Sequence, residues 1–261
     1  MTSRSTFVPA CSAHDVVRVY GRGDAEVRAL DGVSVAFERG RFTAIMGPSG
    51  SGKSTLMHAL AGLDGVDSGR VVLHGDGRRE DVEISAASDA VLTGLRRDRI
   101  GFVFQAFNLL PVLTARDNVL LPMRLAGTRP SQEWFDEVTG RLGLSARLDH
   151  LPHEMSGGQQ QRVAVARALL PQPDVIFADE PTGNLDSQSG AEVLSMLRSS
   201  ARETGQTVVM VTHDPVAASY SDRVVLLADG RPAGEIAHPT TDTVIDTMRA
   251  LNVTGAAVAA R

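Results

Sequence analysis

Of the 261 residues, 43% are hydrophobic and 22% charged, ordinary globular usage that excludes a disordered chain and allows a sizeable core. Lys and Arg number 26 against 31 Asp and Glu, a formal net charge of -5, which disfavours a bulk phosphate-backbone binder, so no nucleic-acid partner is expected. The single cysteine, Cys11, cannot form an internal disulfide, and no run approaches about 18 apolar residues, so no transmembrane helix is expected and the cytoplasm is the default compartment.

Residues 1–13 are expected to form a disordered N-terminal segment. His14 to Tyr20 and Val33 to Phe37 read as strands, with Val33, Val35 and Phe37 alternating onto one face, and Val71 to Leu73 reads as a third member of a small antiparallel sheet. Phe42 to Met46, Ile100 to Phe104, Val175 to Ala178, Val208 to Val211 and Val224 to Leu227 are short, nearly continuous apolar runs. Such runs suit strands buried on both faces of a parallel sheet, and their alternation with helical stretches predicts an α/β fold. Between residues 106 and 155 the strand signal lapses and Thr114 to Ala126 and Ser131 to Leu142 read as helices, separated by Gly127 and Pro130. A helical lobe of about 106–160 is therefore expected inside a main domain of 14–235. Residues 76–99 carry no functional signal, and 236–261 are expected to hold a short helix and an Ala-rich tail.

The chemistry concentrates in two places. Gly47-Pro48-Ser49-Gly50-Ser51-Gly52-Lys53-Ser54-Thr55 follows the strand Phe42 to Met46 and precedes the helical run Leu56 to Leu63, the strand, glycine loop and helix order of a phosphate-binding loop. Glycines let backbone N–H groups turn toward phosphate oxygens, Lys53 reaches the β and γ phosphates, and the Ser54 hydroxyl can ligate Mg²⁺. Lys53 is the only lysine beside 25 arginines, which suits a compact point charge kept for a phosphate. Val175 to Ala178 runs into Asp179 and Glu180. Ligands of parallel sheets bind beyond the carboxyl ends of the strands, so Asp179 is the candidate metal ligand and Glu180 the candidate for polarising the attacking water.

Met155-Ser156-Gly157-Gly158-Gln159-Gln160-Gln161-Arg162 resembles the signature sequence of ATP-binding cassette (ABC) ATPases, with methionine where leucine is usual, a volume-conserving change. The resemblance runs from about residue 14 to residue 231 and implies a P-loop fold with a mainly parallel core sheet, an N-terminal antiparallel β subdomain and an inserted helical lobe, binding ATP and Mg²⁺. It further implies that Gln105 is the Q-loop glutamine at the metal, that His213 is the switch histidine, that Tyr20 stacks on adenine, and that Asp186 belongs to the D-loop Asn184-Leu185-Asp186. In the resembling family Ser156, Gly157, Gly158 and Gln159 meet the γ-phosphate held by a second subunit, so a head-to-tail homodimer is implied.

Gly101-Phe102-Val103-Phe104-Gln105 followed by Phe107-Asn108-Leu109-Leu110-Pro111, and then Pro181-Thr182-Gly183-Asn184, resemble the macrolide-export, lipoprotein-releasing and cell-division-associated group. That implies an integral-membrane permease subunit docking near Gln105 to Leu113, by a helix-in-groove contact, and a place on the inner face of the cell membrane. Export or mechanotransmission is the expected role; a non-transport ATPase of DNA repair or translation, or the ATPase of an uptake system, is the alternative. Substrate and direction of transport lie outside these residues.

Overall fold

The computed structural model describes residues 7–259. In chain order its strands and helices are β1 (Pro9–Tyr20), β2 (Val27–Glu38), β3 (Phe42–Met46), α1 (Lys53–Leu60), β4 (Ser68–Leu73), β5 (Val82–Glu83), α2 (Asp89–Asp98) and β6 (Ile100–Phe104). There follow α3 (Ala115–Leu125), α4 (Gln132–Arg141), α5 (Gly157–Leu169), β7 (Val175–Asp179), α6 (Ser187–Thr204), β8 (Val208–Val211), α7 (Pro215–Ala218), β9 (Arg223–Ala228), β10 (Arg231–Ala237) and α8 (Thr241–Ala259).

Two sheets form. One has the order β2-β1-β4-β5 and is antiparallel; the other has the order β10-β9-β3-β8-β7-β6 and is parallel except for β10 at its edge. The parallel strands divide their side chains between two cores, as strands covered on both faces must. Ala44, Ile176, Ala178, Val208 and Met210 face a core shared with the helical lobe, α5 and α6. Ile45, Val175, Phe177, Val209 and Val211 face a second core built with α1 and the antiparallel sheet.

Four expectations are corrected. The segment expected to be disordered through residue 13 is, from Pro9 onward, the first part of β1; Ala10, Cys11, Ser12 and Ala13 are buried, and Cys11 pairs with Phe37 on β2 and Leu73 on β4. Residues 1–6 of that expectation lie outside the described residues. The edge strand β10 crosses the expected domain boundary at 235. The expected tail is helical through Ala259, as the end of a single helix α8, and Val244 on α8 is buried against the first core. The expected lobe boundary at about 160 falls inside α5, which runs unbroken from Gly157 to Leu169.

The helices begin where their side chains dictate. Thr114 accepts a hydrogen bond from the Asp117 N–H at α3 and Ser131 from the Trp134 N–H at α4, each at 3.2 Å, satisfying N–H groups that the helix itself leaves open. Pro122 lies inside α3.

Candidate active site at the strand ends

The site follows from register. Ile45 of β3 pairs with Val211 of β8, Val211 with Asp179 of β7, and Asp179 with Phe104 of β6. Four neighbouring strands therefore finish level, and the residues that follow them, Gly47, Gln105, Glu180 and Thr212-His213, lie along one carboxyl edge.

At two positions between β3 and α1, Gly47 and Gly52, the chain passes too close to other backbone for a side chain. A Cβ at Gly47 would lie 2.0 Å from the Leu227 carbonyl oxygen, and one at Gly52, where φ is +94°, would lie 2.2 Å from that of Ala29. No side chain caps α1 at Gly52, so its first-turn N–H groups remain for an anion. The Lys53 ammonium lies inside the loop, donating to the carbonyl oxygens of Gly47 at 2.9 Å and Pro48 at 2.7 Å. Burial holds its pKa below the ordinary lysine value, opposed by the nearby Glu180 carboxylate. Ser54 and Thr55 follow in the first turn of α1, with Ser49 and Ser51 in the loop before it.

Glu180 sits at φ +46°, a left-handed conformation that costs a non-glycine residue about 1 kcal/mol or more. Its N–H donates to the Val211 carbonyl at 2.9 Å, and its Oε1 accepts from His213 Nδ1 at 2.8 Å. The two residues are thus joined within one chain. The Asp179 carboxylate is half-buried and accepts no hydrogen bond among the described residues. Burial pushes its pKa up, His58 opposes this, and the adjacent Glu180 charge adds to it. A desolvated carboxylate without a donor fits a divalent cation held with the Ser54 hydroxyl. Gln105 Nε2 donates to Asn184 Oδ1 at 3.1 Å, and Asn184 Nδ2 donates back to the Gln105 carbonyl at 3.0 Å. The Gln105 Oε1 accepts no hydrogen bond among the described residues.

A second cluster forms around the start of α5. Ser156 and Gln159 make a reciprocal capping box, the Gln159 N–H donating to Ser156 Oγ at 3.3 Å and the Ser156 N–H to Gln159 Oε1 at 3.0 Å. A Cβ at Gly158 would lie 2.7 Å from Ser189 Oγ, so this glycine lets α5 approach α6 closely. The Asp186 carboxylate, expected at the nucleotide, is committed to capping α6. It accepts from the N–H groups of Gln188 at 3.1 Å and Ser189 at 3.0 Å, which hold its pKa below the usual carboxylate range. Among the described residues no hydrogen bond or ion pair joins this cluster to the loop Gly47–Thr55.

Tyr20 stands apart from both, at the end of β1. Its hydroxyl donates to Asp64, the Arg18 guanidinium lies 4.8 Å from its ring centroid, and the residue is 39% exposed. One ring face is taken by Arg18. Two supporting residues have no place among the expected site residues. Gln161 is fully buried and its amide donates to the Phe104 carbonyl at 3.2 Å and the Pro181 carbonyl at 2.5 Å, fixing the chain beside Gln105 and Glu180; its place in the run Gln159-Gln160-Gln161 was the available signal. Arg167 donates to the carbonyls of Phe107 and Asn108 and carries no motif signal at all.

A family model described as ABC transporter matches residues 30–183. The macrolide export ATP-binding/permease protein MacB of Chlorobaculum tepidum is 47% identical over 219 residues, 83% of this chain and 32% of that protein, so the chain spans about a third of the length of these curated relatives. An uncharacterized ABC transporter ATP-binding protein of Escherichia coli, YbbA, is 46% identical over 220 residues, 84% of this chain and 94% of that protein. Among solved structures, a dimeric bacterial ABC transporter cassette superposes with a TM-score of 0.77 at 39% identity, covering 88% of this chain and 99% of that one. A dimeric post-hydrolysis state of an ATP-binding cassette with ADP and phosphate superposes with a TM-score of 0.76, also at 39% identity and with the same coverage.

Proposed function

The chain belongs to the ABC transporter family as an ATP-hydrolysing cassette, and on that premise we propose how its strand-end residues bind and hydrolyse ATP and what the cycle drives. The level carboxyl ends of β3, β6, β7 and β8 carry the reading, because they gather Gly47, Gln105, Glu180 and His213 at one edge.

The triphosphate lies along Gly47–Thr55, with α1 behind it. Lys53 turns its ammonium from the Gly47 and Pro48 carbonyls to the β and γ phosphates, a short reach for a flexible stem. Ser54, Asp179 and Gln105 would hold a magnesium ion, which would supply neutralisation of charge on the phosphate oxygens. Glu180 orients and polarises the attacking water, and His213 fixes the Glu180 carboxylate through the bond at 2.8 Å. The open face of Tyr20 receives the adenine.

One chain holds one loop and one glycine-bearing α5 start, and among the described residues no hydrogen bond or ion pair joins the two. Two chains arranged head to tail place Ser156 to Gln159 of each opposite the nucleotide of the other, with Asp186 bracing that face by capping α6. The cycle of closure and reopening drives a separate membrane permease in export or mechanotransmission. Its docking surface is the segment Gln105 to Leu113, where Leu110 is 44% and Val112 82% exposed, beside a crevice of about 240 Å³ lined by Phe102, Phe104 and Asn108. No helix of the described residues is long and apolar enough to cross a membrane, so this docking holds the chain at the inner membrane face. The test is direct: the purified chain hydrolyses ATP only with magnesium, and Lys53→Ala lowers turnover by at least about a hundredfold. Turnover indifferent to that substitution would remove the reading.

A further inference from the structure

Helix α5 grips the loop that follows β6 at both of its own ends. Near its C-terminus, Arg167 donates from Nη1 to the Asn108 carbonyl at 2.5 Å and from Nη2 to the Phe107 carbonyl at 2.8 Å. At its N-terminus, a Cβ on Gly157 would lie 3.7 Å from Phe107 Cζ, so the Phe107 ring rests against the first turn. Phe107 and Asn108 are consecutive non-glycine residues at φ +60° and +50°; asparagine tolerates the left-handed region, whereas the bulky Phe107 keeps it only when the surroundings impose it. The Arg167 guanidinium has no carboxylate partner among the described residues, and burial holds its pKa below the ordinary arginine value. An apolar side chain would fill that volume at lower desolvation cost, so the planar fork is retained for geometry. The apolar stretch beyond the turn is tied separately: buried Asn118 accepts from the Leu110 N–H at 2.8 Å and donates to the carbonyls of Leu110, Leu113 and Thr114 at 3.0 to 3.1 Å.

We propose that Arg167 is a positioning residue that makes the Phe107–Asn108 turn and α5 one mechanical body, so that displacement of Leu110 to Leu113 by a docked partner reaches Ser156 to Gln159. The proposal rests on the reading that this segment receives a membrane subunit and that the start of α5 meets a second chain's nucleotide. A bidentate clamp transmits direction as well as distance, because both N–H vectors are fixed in one plane. A lysine in its place is a single point donor on a flexible stem.

Hydrogen exchange on the purified chain tests the clamp without nucleotide, and steady-state kinetics test its use. In Arg167→Leu, amides of Phe107 and Asn108 and of the first turn of α5 exchange faster together by at least about tenfold, and Arg167→Lys restores only part of the protection. With ATP, KM stays within about twofold because the loop Gly47–Thr55 is untouched, while kcat falls at least about tenfold through misplacement of the α5 start. Faster exchange confined to Phe107 and Asn108, or KM and kcat declining together in proportion to melting temperature, would overturn the proposal. Failure of the unsubstituted chain to hydrolyse ATP would remove the underlying reading, and the exchange measurement would still decide whether Arg167 couples the two segments.

Discussion

Asp179 carries an ill-compensated charge: it is half-buried, lacks a hydrogen-bond donor and lies beside Glu180. Burial first, then the Glu180 charge, raise its folded pKa against the opposing effect of His58. A raised pKa means that the stability Asp179 contributes is complete below the ordinary carboxyl pKa and is lost as pH rises through the folded value. Asp179→Asn is therefore expected to melt higher than the unsubstituted protein at about pH 7, with the gap closing as pH falls toward about 4, and to lose magnesium-supported ATP turnover. Thermal melts across that pH range check this; equal melting at neutral pH would show that Asp179 carries no such penalty. A residue that weakens its own fold at neutral pH is kept for what it binds.

At the scale of elements, legibility in the sequence tracked the environment. The five parallel strands were readable as apolar runs because both faces are buried, as Ile176 and Phe177 show by facing different cores. The glycine loop and the pair Asp179-Glu180 were readable because their chemistry demands those residue types in that order. The first part of β1 was not, because Ala10, Cys11, Ser12 and Ala13 are small and carry little strand preference; their burial comes from position between β2 and β4. β10 escaped for the opposite reason, an exposed edge strand reading Arg231-Pro232-Ala233-Gly234-Glu235 with no apolar pattern. Asp186 was visible as part of a motif, yet its use as the α6 cap appears only with the backbone in place. The order of β1 makes Cys11 a reporter: burial pushes its thiol up to about 12, with the Arg39 guanidinium opposing. It should resist a thiol reagent at about pH 8 in the native protein and react fully in denaturant. Rapid native labelling would show that Pro9 to Ala13 are not held in the sheet.

For the whole molecule, the loop before α1 and the start of α5 are joined by no hydrogen bond or ion pair among the described residues. The loop before α1 has a lysine, while the start of α5 has glycines and a capping box that satisfies Ser156 and Gln159 between themselves. In the proposed head-to-tail pair a second copy brings one against the other, and the solved cassettes that superpose on this chain are dimeric. In that proposed pair assembly and hydrolysis are one process, in which nucleotide closes the pair and loss of the γ-phosphate releases it. The most direct measurement is light scattering and phosphate release on Glu180→Gln with magnesium and ATP. The variant is expected to bind ATP, accumulate as a closed dimer and turn over at least about a hundredfold more slowly than the unsubstituted chain. A monomer in saturating ATP, or near-normal turnover, would contradict the account.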